Sequence, residues 1–204
     1  ILKFMELSLT SNHAKAARLA TNALFFISGL SFSSWASRIP DVKEKLGLGD
    51  AALGTVLFAM PIGSLSALPL AGVIINYMGS RKVTVIAAII YLLSMPFLGI
   101  SNQAWQLAIT LFVFGFGGDL LNISMNVQAV NVEKTMSKSI MSSFHAIFSI
   151  GFMIGAALGG ILASQGISTV WHLSTVGILD IIVALFVYQY LIAKDFKSSE
   201  AQPL

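Results

Sequence analysis

Residues 115–138 read GFGGDLLNISMNVQAVNVEKTMSK, and they decide how the rest of the chain is interpreted. On a helix that turns about 100° per residue, Asp119, Asn122, Asn126 and Glu133 project within about 60° of one another. They form a polar stripe about 21 Å long, at a rise of about 1.5 Å per residue. The sequence on either side is strongly apolar, and lipid offers a polar stripe no hydrogen-bond partner. The stripe therefore has to face other helices or water.

The composition is that of an integral membrane protein. Of 204 residues, 56% are hydrophobic and only 10% are charged, whereas soluble chains carry about 25% charged residues. The net charge of +3 does not indicate nucleic-acid binding, because the cations flank apolar runs. The absence of cysteine excludes disulfides and thiolate metal sites. No phosphate-binding GxxxxGK[ST] loop and no HExxH metal pair are present, so we expect no enzyme, cofactor or metal centre.

Six stretches have the length of about 20 residues that a membrane span requires. They are 16–37, 51–77, 83–100, 104–130, 140–164 and 168–192. The interpretation places a cytoplasmic segment at 1–15, a six-helix bundle at 16–192 and a cytoplasmic tail, the start of a central loop, at 193–204. Lysine and arginine favour both termini in the cytoplasm. The cytoplasmic side then holds Lys3, Lys15, Arg18, Arg81, Lys82, Lys134, Lys138, Lys194 and Lys197, and the outer side holds Arg38, Lys43 and Lys45.

The first span carries a polar face of its own. Ser28, Ser31, Trp35 and Arg38 project within about 80° of one another. One interpretation is an interfacial aromatic with a snorkelling arginine. The other is a pore-facing surface on which Trp35 and Arg38 contact a solute.

The fifth span has two faces. Gly151, Gly155 and Gly159 form a GxxxGxxxG stripe, which predicts close packing against a neighbouring helix. His145 lies on the other face, where it either contacts a hydroxylated ligand or bonds across helices.

Two further acids leave alternatives open. Asp180, near the centre of the sixth span, is either a paired structural residue or a second proton site. Glu133, beside Lys134, is either a solvated boundary charge or a pathway residue.

The loop after the second span, GVIINYMGSRK at 72–82, carries a family resemblance. It resembles the loop between helices two and three of the major facilitator superfamily, where two glycines and a basic pair form part of a cytoplasmic gate. Gly72, Gly79, Arg81 and Lys82 match that pattern by position. Asn76 stands where the family usually has aspartate, which weakens the charge relay of the gate.

Further motifs resemble the fucose-permease-like bacterial branch of this superfamily. They are SWASRIP at 34–40 with LGL at 46–48, MNVQAV at 125–130 followed by Glu133, and MSSFHA at 141–146. The resemblance implies an all-α membrane fold whose six helices form one half, the N-terminal bundle, of a twelve-helix transporter. The branch usually has an acid in the fourth span at the position of Asn122. Here the acid lies one turn earlier, at Asp119.

The resemblance implies a secondary transporter for a small polar solute, a sugar being the first guess. Asp119 would carry the proton, and Asn122, Asn126, His145, Trp35 and Arg38 would contact the solute. The expected partners are the lipid bilayer, the solute, protons, and either a missing C-terminal half or a second copy. The expected location is the inner membrane, and no nucleic acid is expected. Two alternatives stay open: a drug:proton antiporter of the same fold, and a non-transporting six-helix fragment or assembly partner.

Overall fold

The computed structural model of the chain describes residues 2–196, with side chains described from residue 12 on. Within this part the chain is helical and contains no strand, so the predicted all-α fold is confirmed. The α-helices are α1 (Leu2–Ser37), α2 (Ile39–Lys45), α3 (Asp50–Leu57), α4 (Ala59–Met78), α5 (Ser80–Ile100), α6 (Ala104–Met136), α7 (Met141–Ser164) and α8 (Thr169–Val187). A 3₁₀ turn, Tyr188–Tyr190, follows α8. Residues 197–204 of the predicted tail, Lys197 included, and the Lys3 side chain lie outside the described residues.

Five stretches of the described chain are long and apolar enough to cross a membrane. They are Asp50–Met78, formed by α3 and α4 together, Ser80–Ile100, Ala104–Met136, Met141–Ser164 and Thr169–Tyr190. They correspond to the second through sixth predicted spans.

The first predicted span, 16–37, lies inside α1, which is long enough but richer in hydroxyl side chains. Several of these hydroxyls bond to the preceding turn of their own helix. Thr21 Oγ1 donates to Ala17 O at 2.8 Å, and Ser33 Oγ donates to Gly29 O at 2.9 Å. Such local bonds satisfy each hydroxyl within α1 itself. The hydroxyl side chains therefore lower the mean hydropathy of α1, yet they can be buried against neighbouring helices.

The helices pack as two groups, α1 with α7 and α8, and α4 with α5 and α6. Helix α1 packs along α7 and α8, while α6 packs along α4 and α5. Helix α5 also packs on α8, which joins the two groups. The core therefore lies along these central helices, with buried side chains such as Leu24, Leu92 and Leu121 at 0% exposure.

Glycines set the closest of these helix contacts. A Cβ added to Gly151 or Gly155 of α7 would collide with the α1 backbone at Phe26 O or Leu30 O. A Cβ on Gly159 would meet the Ser37 hydroxyl. The predicted GxxxGxxxG stripe thus lies against α1, where only glycine permits this approach.

Candidate functional site

A cavity of about 270 Å³ lies between five helices, beside the polar stripe of α6. Its wall combines aromatic rings with a few polar groups, the usual composition of a small-molecule site. The lining residues are Ser28 and Phe32 of α1, Met60 and Ser64 of α4, Tyr91 of α5, Phe114, Gly115, Gly118, Asp119 and Asn122 of α6, and Phe148 of α7.

Two glycines of α6 let neighbouring helices approach this wall. A Cβ on Gly115 would collide with Met60 O of α4, and one on Gly118 would lie 3.0 Å from the Tyr91 ring. Ser64 Oγ donates to Gly115 O at 3.2 Å, which ties α4 to α6 at the same level. The glycine run that precedes Asp119 therefore brings the cavity walls together around its carboxylate.

Asp119 is the acidic group of the cavity wall. The Asn122 side chain interacts with its carboxylate, but the Oδ2 atom is buried and has no hydrogen-bond partner among the described residues. A buried acceptor without a donor costs about 1–3 kcal/mol. A proton or a bound solute with a donor group removes that cost.

The two asparagines of the stripe are linked to each other. Asn126 Nδ2 donates to the backbone oxygen of Asn122 at 2.8 Å and to its Oδ1 at 3.0 Å. Asn122 is exposed and lines the cavity. Because Asn126 donates to the Asn122 side-chain oxygen, the Asn122 amide nitrogen is the group that remains to donate, beside the Asp119 carboxylate.

The remaining predicted solute contacts lie elsewhere. His145 is exposed on α7, where its ring meets Phe25 edge-on at a centroid distance of 5.4 Å. Trp35 is 2% exposed and belongs to the core. Arg38 is 3% exposed and pairs with Asp41 Oδ2 at 2.7 Å, while its Nη2 donates to Ile167 O at 2.6 Å. Arg38 thus joins the end of α1 to the start of α8, and none of these three residues lines the cavity.

Aromatic rings form the part of the cavity wall that the sequence reasoning missed. Phe32 stacks on Phe114 at a centroid distance of 6.5 Å and on Phe152 at 6.1 Å. Phe114 in turn stacks on Tyr91 at 4.4 Å. Phenylalanine is common on every face of a membrane helix, so the sequence gives no signal that separates these rings from lipid-facing ones.

Glu133 has a structural contact at the C-terminal end of the stripe. Its Oε1 accepts the backbone N–H groups of Ile140 at 2.5 Å and Met141 at 2.7 Å. These N–H groups open α7, so Glu133 caps that helix and complements its dipole.

The predicted gate loop is a tight turn between α4 and α5. Gly79 connects Met78 to Ser80 with a φ of 82°, a value that favours glycine. Asn76 is exposed, and a Cβ on Gly72 would face open space. Of the two glycines, the turn itself requires only Gly79.

The two basic residues of this loop have different surroundings. Arg81 Nε donates to Tyr188 O at 3.0 Å, and its guanidinium lies 4.4 Å from the centre of the Tyr188 ring. Lys82 is exposed. Arg81 thereby anchors the start of α5 to the end of the sixth span.

A carboxylate from the segment after α8 reaches the same loop. Asp195 Oδ2 accepts the Ser80 N–H at 2.7 Å, and its Oδ1 accepts from Asn131 Nδ2 at 2.7 Å. Gln128 exchanges two hydrogen bonds of 2.9 Å with the backbone of Ile192. Asp195 therefore ties the start of α5 to α6 and to the segment after α8. The prediction placed Asp195 in a cytoplasmic tail and did not anticipate these contacts.

Comparisons with known proteins agree with this architecture. The family model of the major facilitator superfamily matches residues 21–203. An uncharacterised MFS-type transporter of Yersinia pestis is 37% identical over 168 residues, which are 82% of this chain and 44% of that protein. Uncharacterized transporter y4wD of Sinorhizobium fredii is 36% identical over 140 residues, which are 69% of this chain and 37% of that protein.

Two further likenesses concern a more distant relative and a solved structure. Membrane protein MosC of Rhizobium meliloti is 28% identical over 86% of this chain and 42% of its own length. The crystal structure of the nucleoside transporter NupG matches with a TM-score of 0.74 at 16% identity, over 92% of this chain and 47% of that one. The chain thus spans less than half the length of these proteins. The resemblance to the superfamily is confirmed: this multi-pass membrane chain belongs to the major facilitator superfamily, a family of transporters rather than enzymes.

Proposed function

We propose that the chain is the N-terminal half of a secondary transporter that moves a small polar solute by alternating access, coupled to protons through Asp119. The observation that carries the proposal is the buried, unpartnered Oδ2 of Asp119 on the wall of a cavity between membrane helices. An ionisable group at membrane depth costs about 2.5–3.5 kcal/mol on insertion scales. Such a cost favours a carboxylate that binds something during its working cycle.

The wall favours a solute with hydroxyl groups and an apolar face. Asn122 contributes an amide to the wall, and Asp119 Oδ2 offers an acceptor that has no partner among the described residues. Phe32 and Phe148 present ring surface beside them. A sugar combines hydroxyl groups with C–H faces that pack on rings, so a sugar remains the first substrate class to test.

The other wall of the cavity would come from a second six-helix half. In the superfamily the two halves are related by an axis along the membrane normal, and the solute binds between them near the midplane. The relatives of this chain are more than twice as long as the region it matches. A C-terminal half or a second copy with the same orientation would close the site. We place both termini in the cytoplasm and the protein in the inner membrane.

The loop between α4 and α5 would act as the cytoplasmic gate. Arg81 and Asp195 hold the start of α5 to the segment after α8. When the two halves rock against each other, these contacts keep the cytoplasmic ends of the third, fourth and sixth spans together as one body.

The test is Asp119→Asn in a full-length protein that contains this half, reconstituted in proteoliposomes. Uptake of a sugar panel is measured with and without an inward proton gradient, together with solute exchange at equal pH. We expect the variant to lose gradient-driven accumulation by tenfold or more, because asparagine cannot carry the proton, and to retain exchange. Asp50→Asn, an exposed acid at the start of α3, is the matched control. Normal proton-driven accumulation by Asp119→Asn would exclude the carrier role.

A drug:proton antiporter is the second candidate. The stacked Phe32, Phe114 and Tyr91 rings beside a single carboxylate favour an aromatic cation as solute. Efflux of lipophilic cations from cells that express the protein separates this candidate from sugar uptake.

A further inference from the structure

A second acid lies behind the cavity wall. Asp180 of α8 is 5% exposed, and its Oδ2 accepts a hydrogen bond of 2.6 Å from Ser31 Oγ of α1. Ser31 itself is fully buried. Among the described residues no lysine, arginine or histidine lies within 4 Å of the Asp180 carboxylate.

The helices around Asp180 place no positive charge beside its carboxylate in the described part of the chain. On α5 the titratable group that acts on it is Tyr91. On α1 the nearest cation along the helix is Arg38, which pairs with Asp41 at the outer end. On α7 the one titratable side chain is His145, near the cytoplasmic end, and on α8 His172 is two turns away. Burying a carboxylate without a cation costs far more free energy than burying the protonated acid, which is neutral.

Residues with hydroxyl groups lie both beside Asp180 and on the cavity wall. Ser28 lies one turn before Ser31 on α1 and lines the cavity. The Tyr91 hydroxyl donates to Ser28 O at 3.3 Å, and the Tyr91 ring lies against Gly118, next to Asp119. Ser31 and Tyr91 therefore interact with Asp180, while Tyr91 and Ser28 line the cavity that holds Asp119.

We propose that Asp180 is a second proton-binding site. It exchanges its proton with the cavity past Ser31, Ser28 and Tyr91. The carboxylate takes one proton to become the neutral acid, and it returns that proton to cavity water or to the Asp119 carboxylate. The inference rests on the proposed proton coupling and adds a second carrier to it.

Infrared spectroscopy of the purified full-length protein tests the site with protons as the only ligand. The carbonyl band of protonated carboxyl groups is followed in a pH titration through the neutral range. We expect one component to disappear in Asp180→Asn and a different one in Asp119→Asn. The amide of Asp180→Asn still accepts the Ser31 hydrogen bond, so the thermal unfolding temperature stays that of the unsubstituted protein.

The outcomes separate this inference from the proposed function. A component that titrates and is lost in Asp180→Asn supports the site, whatever solute is transported and even if Asp119→Asn leaves uptake unchanged. An unchanged spectrum in Asp180→Asn, or an Asp180 band that does not titrate, overturns it and leaves the Asp119 proposal intact. If Asp180→Asn does not fold, Ser31→Ala takes its place. That variant must shift the Asp180 band, and an unshifted band also overturns the proposal.

Discussion

Asn126 shows how one side chain prepares another for binding. It does not line the cavity, yet its amide holds both oxygens of Asn122, at 2.8 and 3.0 Å. Without Asn126, the Asn122 side chain is free to rotate and to point either its oxygen or its nitrogen at a solute. The pair thus fixes which hydrogen-bonding groups the wall presents.

We predict that Asn126→Ala in the full-length transporter raises the KM for solute about tenfold, which corresponds to ~1.4 kcal/mol. The maximal rate changes less, because the proton carrier Asp119 is untouched. Concentration-dependent uptake in proteoliposomes measures both parameters. Asn102→Ala, in the loop between α5 and α6, is the control and leaves both unchanged. A loss of rate at an unaltered KM would contradict the positioning role.

At the level of single residues, the sequence shows which polar groups lie in an apolar helix, but it does not show which residues of other helices they contact. Asp119 and Asn122, which line the cavity, stand out in the sequence because few residues of their type occur in such a helix. Trp35 and Arg38 share a helical face with Ser31, and the projection is sound. That face, however, packs on α8, where Ser31 meets Asp180 and Arg38 meets Thr169. A single helix cannot reveal which of its faces meets a neighbour and which lines a cavity.

At the level of the elements, the contact between α1 and α7 depends on glycine spacing. Gly155 lies against Leu30 O and Ser33 Oγ, while Gly160 of the same helix faces open space. An added methyl group therefore collides with α1 at Gly155 but meets no other atom at Gly160.

We predict that Gly155→Ala destabilises the chain by about 1–3 kcal/mol, because the methyl group forces α1 and α7 apart. Gly160→Ala is the matched control and leaves stability equal or slightly higher, since alanine has the better helix propensity. Thermal unfolding of the detergent-purified variants, followed by circular dichroism, compares them. Equal unfolding temperatures for the two variants would show that the α1–α7 contact is looser than the described geometry.

Helix positions were more predictable than helix ends. The hydrophobic runs fixed all six long helices, but α6 continues to Met136, beyond the predicted end at 130, and α8 ends at Val187, before 192. Both differences arise at the end of the bundle that carries the turn between α4 and α5. There Gln128 and Asn131 bond to the segment after α8, which the apolar pattern does not register.

At the level of the whole molecule, exposed surface falls into two kinds. Ile178, Ile182 and Leu185 of α8 are each more than half exposed and form an apolar face that suits lipid. Asn122 is also exposed but lies on the cavity beside a carboxylate. If the proposed half-transporter is correct, lipid contacts the apolar face of α8 and water contacts Asn122.

The chain contains no cysteine, so single cysteines report on these surfaces without background. We predict that Asn122→Cys reacts with a water-soluble, membrane-impermeant thiol reagent in the membrane-embedded chain, and that Ile182→Cys does not react, although its parent residue is 58% exposed. Thiolates form only in water, so the rate of labelling measures contact with water rather than exposure of area. In the full-length transporter, a solute that occupies the cavity slows the labelling of Asn122→Cys. Equal labelling of the two cysteines would mean that the Asp119 cavity is not a separate aqueous compartment, and the alternating-access proposal would fail with it.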